Sequence, residues 1–247
     1  MKHLIGLALL LSPVALLAQD QQQEDIDPSK PTNLYTQVNA QGEYKDVTSG
    51  GDLMGARINI QFAPNSDNLV LAELPILHND ATGKTGISDV RVRYFTVVKR
   101  NISERLIAVA PFVDVTAPTG STRDGLGQGV WSIAGGAVIG YVVSPKFSLF
   151  PGLGYVHIAA DKGPNSSSNG IALQMNASYA FSPRTFMFIN PTPAFLNTNG
   201  TWADPVWKGD VSLTRILVPN RFTMNVGFAP NFTQHTYTYS TGFTFFI

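Results

Sequence analysis

Charged side chains set into otherwise apolar, alternating runs are the residues of this sequence that could do chemistry. Over residues 87–99 the period-two alternation of an extended chain puts Asp89, Arg91 and Arg93 on one face and Val90, Val92 and Tyr94 on the other. Arg57, Asn59 and Gln61 share a face opposite Ala56, Ile58 and Ile60, and Lys208, Asp210, Ser212 and Thr214 share one opposite Val211 and Leu213. Glu43, Glu73 and Asp114 add acids in comparable positions. If these runs cross a bilayer the charges must turn inward, because Arg or Lys facing lipid at the midplane costs about 2–4 kcal/mol. Arg57, Glu73, Asp89, Arg91, Arg93, Asp114, Lys208 and Asp210 are thus the candidate site residues. They allow two readings: a lumen of both charge signs that carries a solute, or interior ion pairs that fill and stiffen a narrow barrel.

Catalysis finds less to work with. Beyond the first residues the chain has three histidines, His78, His157 and His235. His78 and His235 fall in loops, and His157 shares the lipid-facing side of its strand with Leu153 and Tyr155. A Ser–His device needs a hydroxyl within hydrogen-bond reach, but the residue two beyond His157 on that face is Ala159. There is no Cys, and no His/Asp/Glu group has metal-ligand spacing. No enzyme, metal or cofactor is expected, and a lipid-acting enzyme is the weakest of the functional readings. The stretch Thr116–Ser121 followed by Gly125-Leu126-Gly127-Gln128-Gly129 is glycine-rich like a phosphate loop. It lacks the Gly-Lys-Ser/Thr ending and opens no helix, so a flexible external loop is expected there.

The elements that would position these residues are strands. From Leu34 to Ile247 about 12 β-like runs follow one another, near 34–44, 53–62, 69–77, 87–99, 104–117, 130–143, 147–160, 170–181, 185–197, 206–217, 221–230 and 236–247. Tight Pro- and Asn-containing turns at 63–67, 99–103, 144–146, 182–184 and 219–220 alternate with longer polar loops near 45–52, 78–86, 118–129, 161–169, 198–205 and 231–235. Short turns at one end and longer loops at the other is the layout of an outer-membrane barrel. It requires an even strand number and puts both ends of the barrel in the periplasm.

Period two holds within single runs. Tyr237, Tyr239, Phe243, Phe245 and Ile247 oppose Thr238, Ser240, Gly242 and Thr244, and Ile171, Met175, Tyr179 and Phe181 oppose Ala172, Gln174, Asn176 and Ser178. The second face of each is small and polar, as a wet lumen requires. Residues 185–197 break the rule: Phe186 and Phe188 oppose Met187 and Ile189, with Pro191 and Pro193 following, which predicts a bulge or register change.

Composition agrees with export and a membrane. Lys2, an apolar run from Leu4 to Leu17 and the small Ala18 form the layout of a cleaved signal over residues 1–18, too short and too broken by Pro13 for a spanning helix. Residues 19–33 read as a flexible periplasmic segment and 34–247 as the barrel. The chain carries 17 basic and 17 acidic residues, so no basic stripe recommends nucleic acid. The partners expected are outer-membrane lipid and lipopolysaccharide, the assembly machinery through the aromatic C-terminal strand, and a small-molecule solute, with the barrel a monomer.

Gly86-Ile87-Ser88-Asp89-Val90-Arg91-Val92-Arg93-Tyr94, then Ala117-Pro118-Thr119-Gly120, Gly127-Gln128-Gly129 and Gly152-Leu153-Gly154-Tyr155 resemble the family of the MetA pathway of phenol degradation. The resemblance implies an outer-membrane, all-β, transmembrane antiparallel up-and-down barrel of about this strand count. It also implies a channel or transporter for passive uptake of small hydrophobic or aromatic solutes, and it carries over no binding residue. A structural or adhesive surface barrel with a plugged lumen is the alternative.

Overall fold

The computed structural model describes residues 26–48, 51–160 and 167–247. The signal segment at 1–18, residues 19–25 and most of the loop at 161–169 lie outside the described residues. The strand segments are β1 (Gln37–Val47), β2 (Leu53–Asn65), β3 (Asn68–Asn79), β4 (Lys84–Ile87), β5 (Val90–Thr96), β6 (Lys99–Arg100), β7 (Leu106–Ala117), β8 (Val130–Ser144), β9 (Phe147–Ala160), β10 (Ser168–Ser182), β11 (Thr185–Pro191), β12 (Ala194–Thr198), β13 (Thr201–Trp202), β14 (Gly209–Val218), β15 (Phe222–Asn231) and β16 (Thr236–Phe246). They make twelve staves. β4, β5 and β6 run along one stave, β11 and β12 along another, and β13 leads toward β14. Every stave pairs antiparallel with its sequence neighbour, and β1 pairs β16 from Gln37↔Phe246 to Val47↔Thr236, so the sheet closes into a barrel.

The tight turns all fall at one end, where Asn101 and Asn220 take positive φ (49° and 59°), a conformation that Asn tolerates better than most residues. The first stave begins at Gln37 rather than Leu34. Residues 26–36 are not a free lead-in either. Thr32 is 2% exposed, and Leu34 packs on Ala63, Leu69, Val97, Ala108 and Ala110. The Thr32 carbonyl accepts from Arg100 Nη1 at 3.0 Å, and Thr36 Oγ1 accepts from the Ala63 amide at 3.1 Å. This segment is polar but it seats on the short-turn end of the barrel, a correction to the flexible periplasmic segment expected for 19–33, of which 26–33 are described.

Two expectations about strand continuity change. The run 87–99 is interrupted: Ile76 pairs Ile87 while Glu73 pairs Arg91, so two residues of β3 face three of its neighbour. This is a β-bulge. Pro75 explains it, since its carbonyl accepts from the Ser88 amide at 2.9 Å but the ring nitrogen has no proton to return. The bulge or register change expected over 185–197 falls at its start, where Ala180 pairs Phe186 but Ser182 pairs Thr185, and not at Pro191 and Pro193. Nine residues separate Ser168 from Ala177 on β10, and nine separate Ile189 from Thr198 on the facing stave. The prolines remove donors from the ladder without adding a residue to it.

Outward faces are mainly apolar, including Ile58, Ile60, Val92, Val113, Ile133, Leu153, Ile171, Met175, Leu213, Val226 and Phe243, with Arg215 as an exception near the short-turn end and His157 near the other. No packed protein covers them, which is the surface a bilayer solvates. The inner face is stratified. Toward the short-turn end, Phe112, Val138 and Phe150 cluster with Phe95, Ile107 and Phe188, and Phe150 and Phe188 stack at 6.2 Å. Higher up, the inner residues are charged or polar. Phe150, at 0% exposure, fills the interior of the barrel, so Phe150→Ala is expected to lower unfolding free energy by about 3–5 kcal/mol. Outward Leu153→Arg is expected to cost about 2–4 kcal/mol through the lipid instead. Urea unfolding in lipid vesicles measures both, and a loss well under about 1 kcal/mol for Leu153→Arg would refute the outward assignment.

Candidate functional site

Above the aromatic layer the inner wall carries a chain of ion pairs across five consecutive staves. Arg57 donates to Glu43 from Nε (2.8 Å) and Nη2 (3.2 Å), and its Nη1 lies 3.5 Å from Glu73 Oε2. Arg91 Nη1 lies 3.4 Å from the same oxygen and grips Asp114 through Nε (2.8 Å) and Nη2 (2.5 Å). Arg93 also donates to Asp114 Oδ2, from Nε at 2.9 Å and Nη2 at 2.5 Å, and lies over the Phe112 ring at 5.4 Å. The order along the chain is Glu43, Arg57, Glu73, Arg91, Asp114, Arg93, so the signs alternate and the charges cancel.

Strand register makes this possible. Glu73 stands directly across from Arg91, and Arg93 directly across from Asp114, where cross-strand side chains are close enough to pair. Glu43 and Arg57 meet on the diagonal, since Gln41 is the residue opposite Arg57. Asp114 holds the end of the chain together because two guanidinium groups converge on one of its oxygens. Glu73 has a second support in Asn59 Nδ2 at 3.3 Å.

The other candidates divide. Lys208 and Asp210 start the β14 stave, six positions round the ring from the stave of Arg91 and therefore across the lumen from it. Asp210 accepts from Asn190 Nδ2 at 3.0 Å. Among the described residues, Lys208 makes no ion pair or side-chain hydrogen bond, and neither does Lys45, which sequence reasoning missed. The signal for Lys45 was present: it lies two residues from Glu43 on the same face. Asp89 does not join the ion pairs. Its Oδ1 accepts from the Gly120 amide at 3.0 Å and its Oδ2 from the Gln128 amide at 2.8 Å.

All eight candidates line one cavity of about 660 Å³. Its walls are unlike. Lys45, Arg57, Glu73, Arg91, Arg93 and Asp114 form a continuous charged arc, while the staves facing them mix apolar Ala134, Val156, Ile158, Ala172, Leu196 and Val206 with polar Gln174, Asn176 and Asn190 and the charges of Lys208 and Asp210. Asn176 and Asn190 sit on the cavity with side-chain oxygens that are buried and have no hydrogen-bond partner. Outside the barrel, His157 Nδ1 lies 2.7 Å from Asn169 Oδ1, which also accepts from the Tyr155 hydroxyl at 2.6 Å. The ring nitrogen meets an amide, where a Ser–His device would place a hydroxyl.

No protein-family model matches this chain, so the resemblance to the MetA-pathway family gains nothing there, and no curated protein matches it. Solved structures do. The COG4313 outer membrane channel from Pseudomonas putida F1 matches over 91% of this chain and 100% of its own, at 11% identity and a TM-score of 0.63. The NanC porin matches over 84% of this chain and 98% of its own, at 12% identity and 0.63. The KdgM porin matches over 85% and 98%, at 13% identity and 0.54. The fold is that of these outer-membrane β-barrels.

The ion-pair chain predicts unequal costs for similar substitutions. Asp114→Ala strands two guanidinium groups on the inner wall and is expected to lose about 3 kcal/mol of stability. Asp210→Ala removes one hydrogen bond at a wetter position and is expected to lose under about 1 kcal/mol. Equal losses in denaturant titrations would show that Asp114 is not the junction of the network.

Proposed function

We propose that this protein is an outer-membrane channel for the passive passage of small solutes, with the charged cavity as the selective part of its path. The single observation that carries the reading is the cavity itself: about 660 Å³ of space inside a closed barrel, with a charged arc facing a mixed apolar and polar wall. A barrel whose interior served stability alone would be expected to fill that space with side chains. Arg57, Glu73, Arg91, Arg93, Asp114, Lys208 and Asp210 line the path, and Asp89 borders it. The short-turn end and both barrel ends face the periplasm in this reading, and β16 serves as the strand read by the assembly machinery. Lipid and lipopolysaccharide surround a monomer.

The lining also bears on the solute. The arginines are paired, and the Asp89 carboxylate is taken up by backbone amides. Among the described residues Lys45, Lys208 and Asp210 are the lining charges outside the ion pairs and the amide contacts of Asp89, two cations to one acid, so the path leans toward anions. The apolar patch of Val156, Ile158, Leu196 and Val206 accommodates an apolar body beside that charge. Small hydrophobic or aromatic compounds, which the family resemblance implies, fit this lining when they carry a polar or anionic group.

One observation favours a plugged structural barrel as the second reading. The layer of Phe95, Phe112, Val138, Phe150 and Phe188, with Thr32 and Leu34 seated nearby, packs the interior below the cavity. Single-channel recordings of the refolded protein in planar bilayers separate the two. The channel reading expects discrete conductance with anion preference, and swelling of liposomes in a small permeant solute. The Lys45→Glu, Lys208→Glu double variant is expected to shift the zero-current potential in a salt gradient toward cations. A silent bilayer together with no swelling would leave the plugged barrel standing.

A further inference from the structure

The glycine-rich segment between β7 and β8, residues 118–129, turns inward over the lumen instead of standing free as the external loop its composition suggested. Leu126 is 5% exposed and packs on Leu53 and Leu77, inward-facing residues of β2 and β3, with Val47 of β1 against them. The loop leaves the barrel between the fifth and sixth staves and reaches residues on the first three. At about 4.8 Å per stave that is a crossing of roughly 10–15 Å along the inner wall. Its landing site is directly above the ion pairs: Leu53 and Leu77 lie four residues beyond Arg57 and Glu73 on the same inner faces.

The loop is held at both of its legs by one side chain. The carboxylate of Asp89 accepts from Gly120 on the outgoing leg and Gln128 on the returning leg, at 3.0 and 2.8 Å. Charge-assisted bonds of this kind are about twice as strong as neutral ones. Thr119 adds to the hold, donating to the Ser88 carbonyl at 2.8 Å and accepting from the Val90 amide at 2.9 Å. At the tip, Asn79 and Thr82 donate to the Asp124 carbonyl at 3.0 and 3.1 Å. The legs cross so closely beneath Asp89 that side chains are excluded. A Cβ on Gly120 would lie 2.6 Å from the Leu126 carbonyl oxygen, and one on Gly127 would lie 2.5 Å from the Gly120 carbonyl oxygen and 2.6 Å from Asp89 Oδ1.

We propose that Asp89 is a positioning residue that clamps the 118–129 loop inside the mouth of the barrel as a fixed constriction above the charged cavity. The proposal deepens the channel reading and rests on it. Two features distinguish it from a loop that merely braces the wall. Gln128, one of the two residues whose amides Asp89 holds, presents itself to the cavity, as does Asp89. The apolar landing site lies on the lumen side of the wall, so the space the loop occupies is taken from the path.

The test joins two readouts on Asp89→Ala, Asp89→Asn and Leu126→Ala, each first shown by its heat-dependent gel migration to be a folded barrel. Arg123, in the loop, offers a trypsin site. Losing both clamp bonds is expected to speed cleavage after Arg123 roughly tenfold or more, because cleavage follows local opening. Asp89→Asn, which keeps one acceptor, falls between Asp89→Ala and the wild type. In planar bilayers Asp89→Ala and Leu126→Ala are expected to show larger unit conductance, more open-state noise and faster liposome swelling in solutes near the wild-type size limit. Faster cleavage with unchanged conductance and size limit would overturn the constriction, and unchanged cleavage would overturn the clamp. A silent wild type with a conducting Asp89→Ala supports the clamp as a closure and overturns the reading of a standing open channel. Silence from all the proteins overturns the channel reading and the constriction together, with trypsin still reporting the clamp separately.

Discussion

Eleven residue pairs, from Gln37 opposite Phe246 to Val47 opposite Thr236, join the first stave to the last. In hydrocarbon an unpaired backbone amide or carbonyl finds no water, so a sheet there must leave no edge. The seam supplies that condition, and Ile247 extends it by donating to the Thr36 carbonyl at 3.0 Å. Once the sheet is closed, each side chain lies either inside or outside the ring, with no third choice. Period-two alternation then becomes a sorting rule that sends Ile58, Val92 and Val113 to lipid and Arg57, Arg91 and Asp114 to the interior. The charged residues meet because closure has left them nowhere else to go.

Twelve staves enclose more interior than their own side chains easily fill, and the chain manages it by level. At the short-turn end the interior is packed apolar, with aromatic rings from β5, β7, β9 and β11 meeting across it. At mid-height it is electrostatic. Ion pairs with one buried partner gain little if either charge is left over; alternating the sign over five staves leaves none over within the chain from Glu43 to Arg93. Toward the long-loop end the interior is narrowed by a loop. The cavity lies at the middle level, where the charged arc faces a wall that mixes small and aliphatic residues with amides and the charges of Lys208 and Asp210.

Much of this was legible in the sequence because it is local. Strand ends are fixed by turn residues such as Ser144-Pro145-Lys146 and Pro219-Asn220, and facing is fixed by alternation, so all twelve runs reappear within a few residues. The eight candidate residues could be gathered onto one inner face by parity alone. What stayed hidden depends on partners distant in sequence. Phe186 and Phe188 alternate with Met187 and Ile189, so nothing local says that the phenylalanines face an interior already lined by Phe112 and Phe150. Thr32 and Leu34 sit in a stretch that looks polar and Pro-punctuated, and their burial comes from β2, β3 and β7. Leu126 is one aliphatic residue among glycines until Leu53 and Leu77 are set beneath it.

Asp89 shows how a backbone detail redirects a side chain. By spacing it belongs with Arg91 and Arg93, two and four residues further along one strand face, and an unbroken strand would add it to their ion pairs. Pro75 prevents that. Its missing N–H interrupts the ladder where Ser88 and Asp89 pass, the neighbouring stave takes in an extra residue, and a bulge re-aims the side chain beside it. Asp89 thereby leaves the arginines to Glu73 and Asp114 and turns to the amides of Gly120 and Gln128. Those two glycine-flanked amides can reach it because the legs they belong to carry no Cβ at their crossing. A proline on one stave, an acid on the next and glycines in the loop beyond thus act as one device.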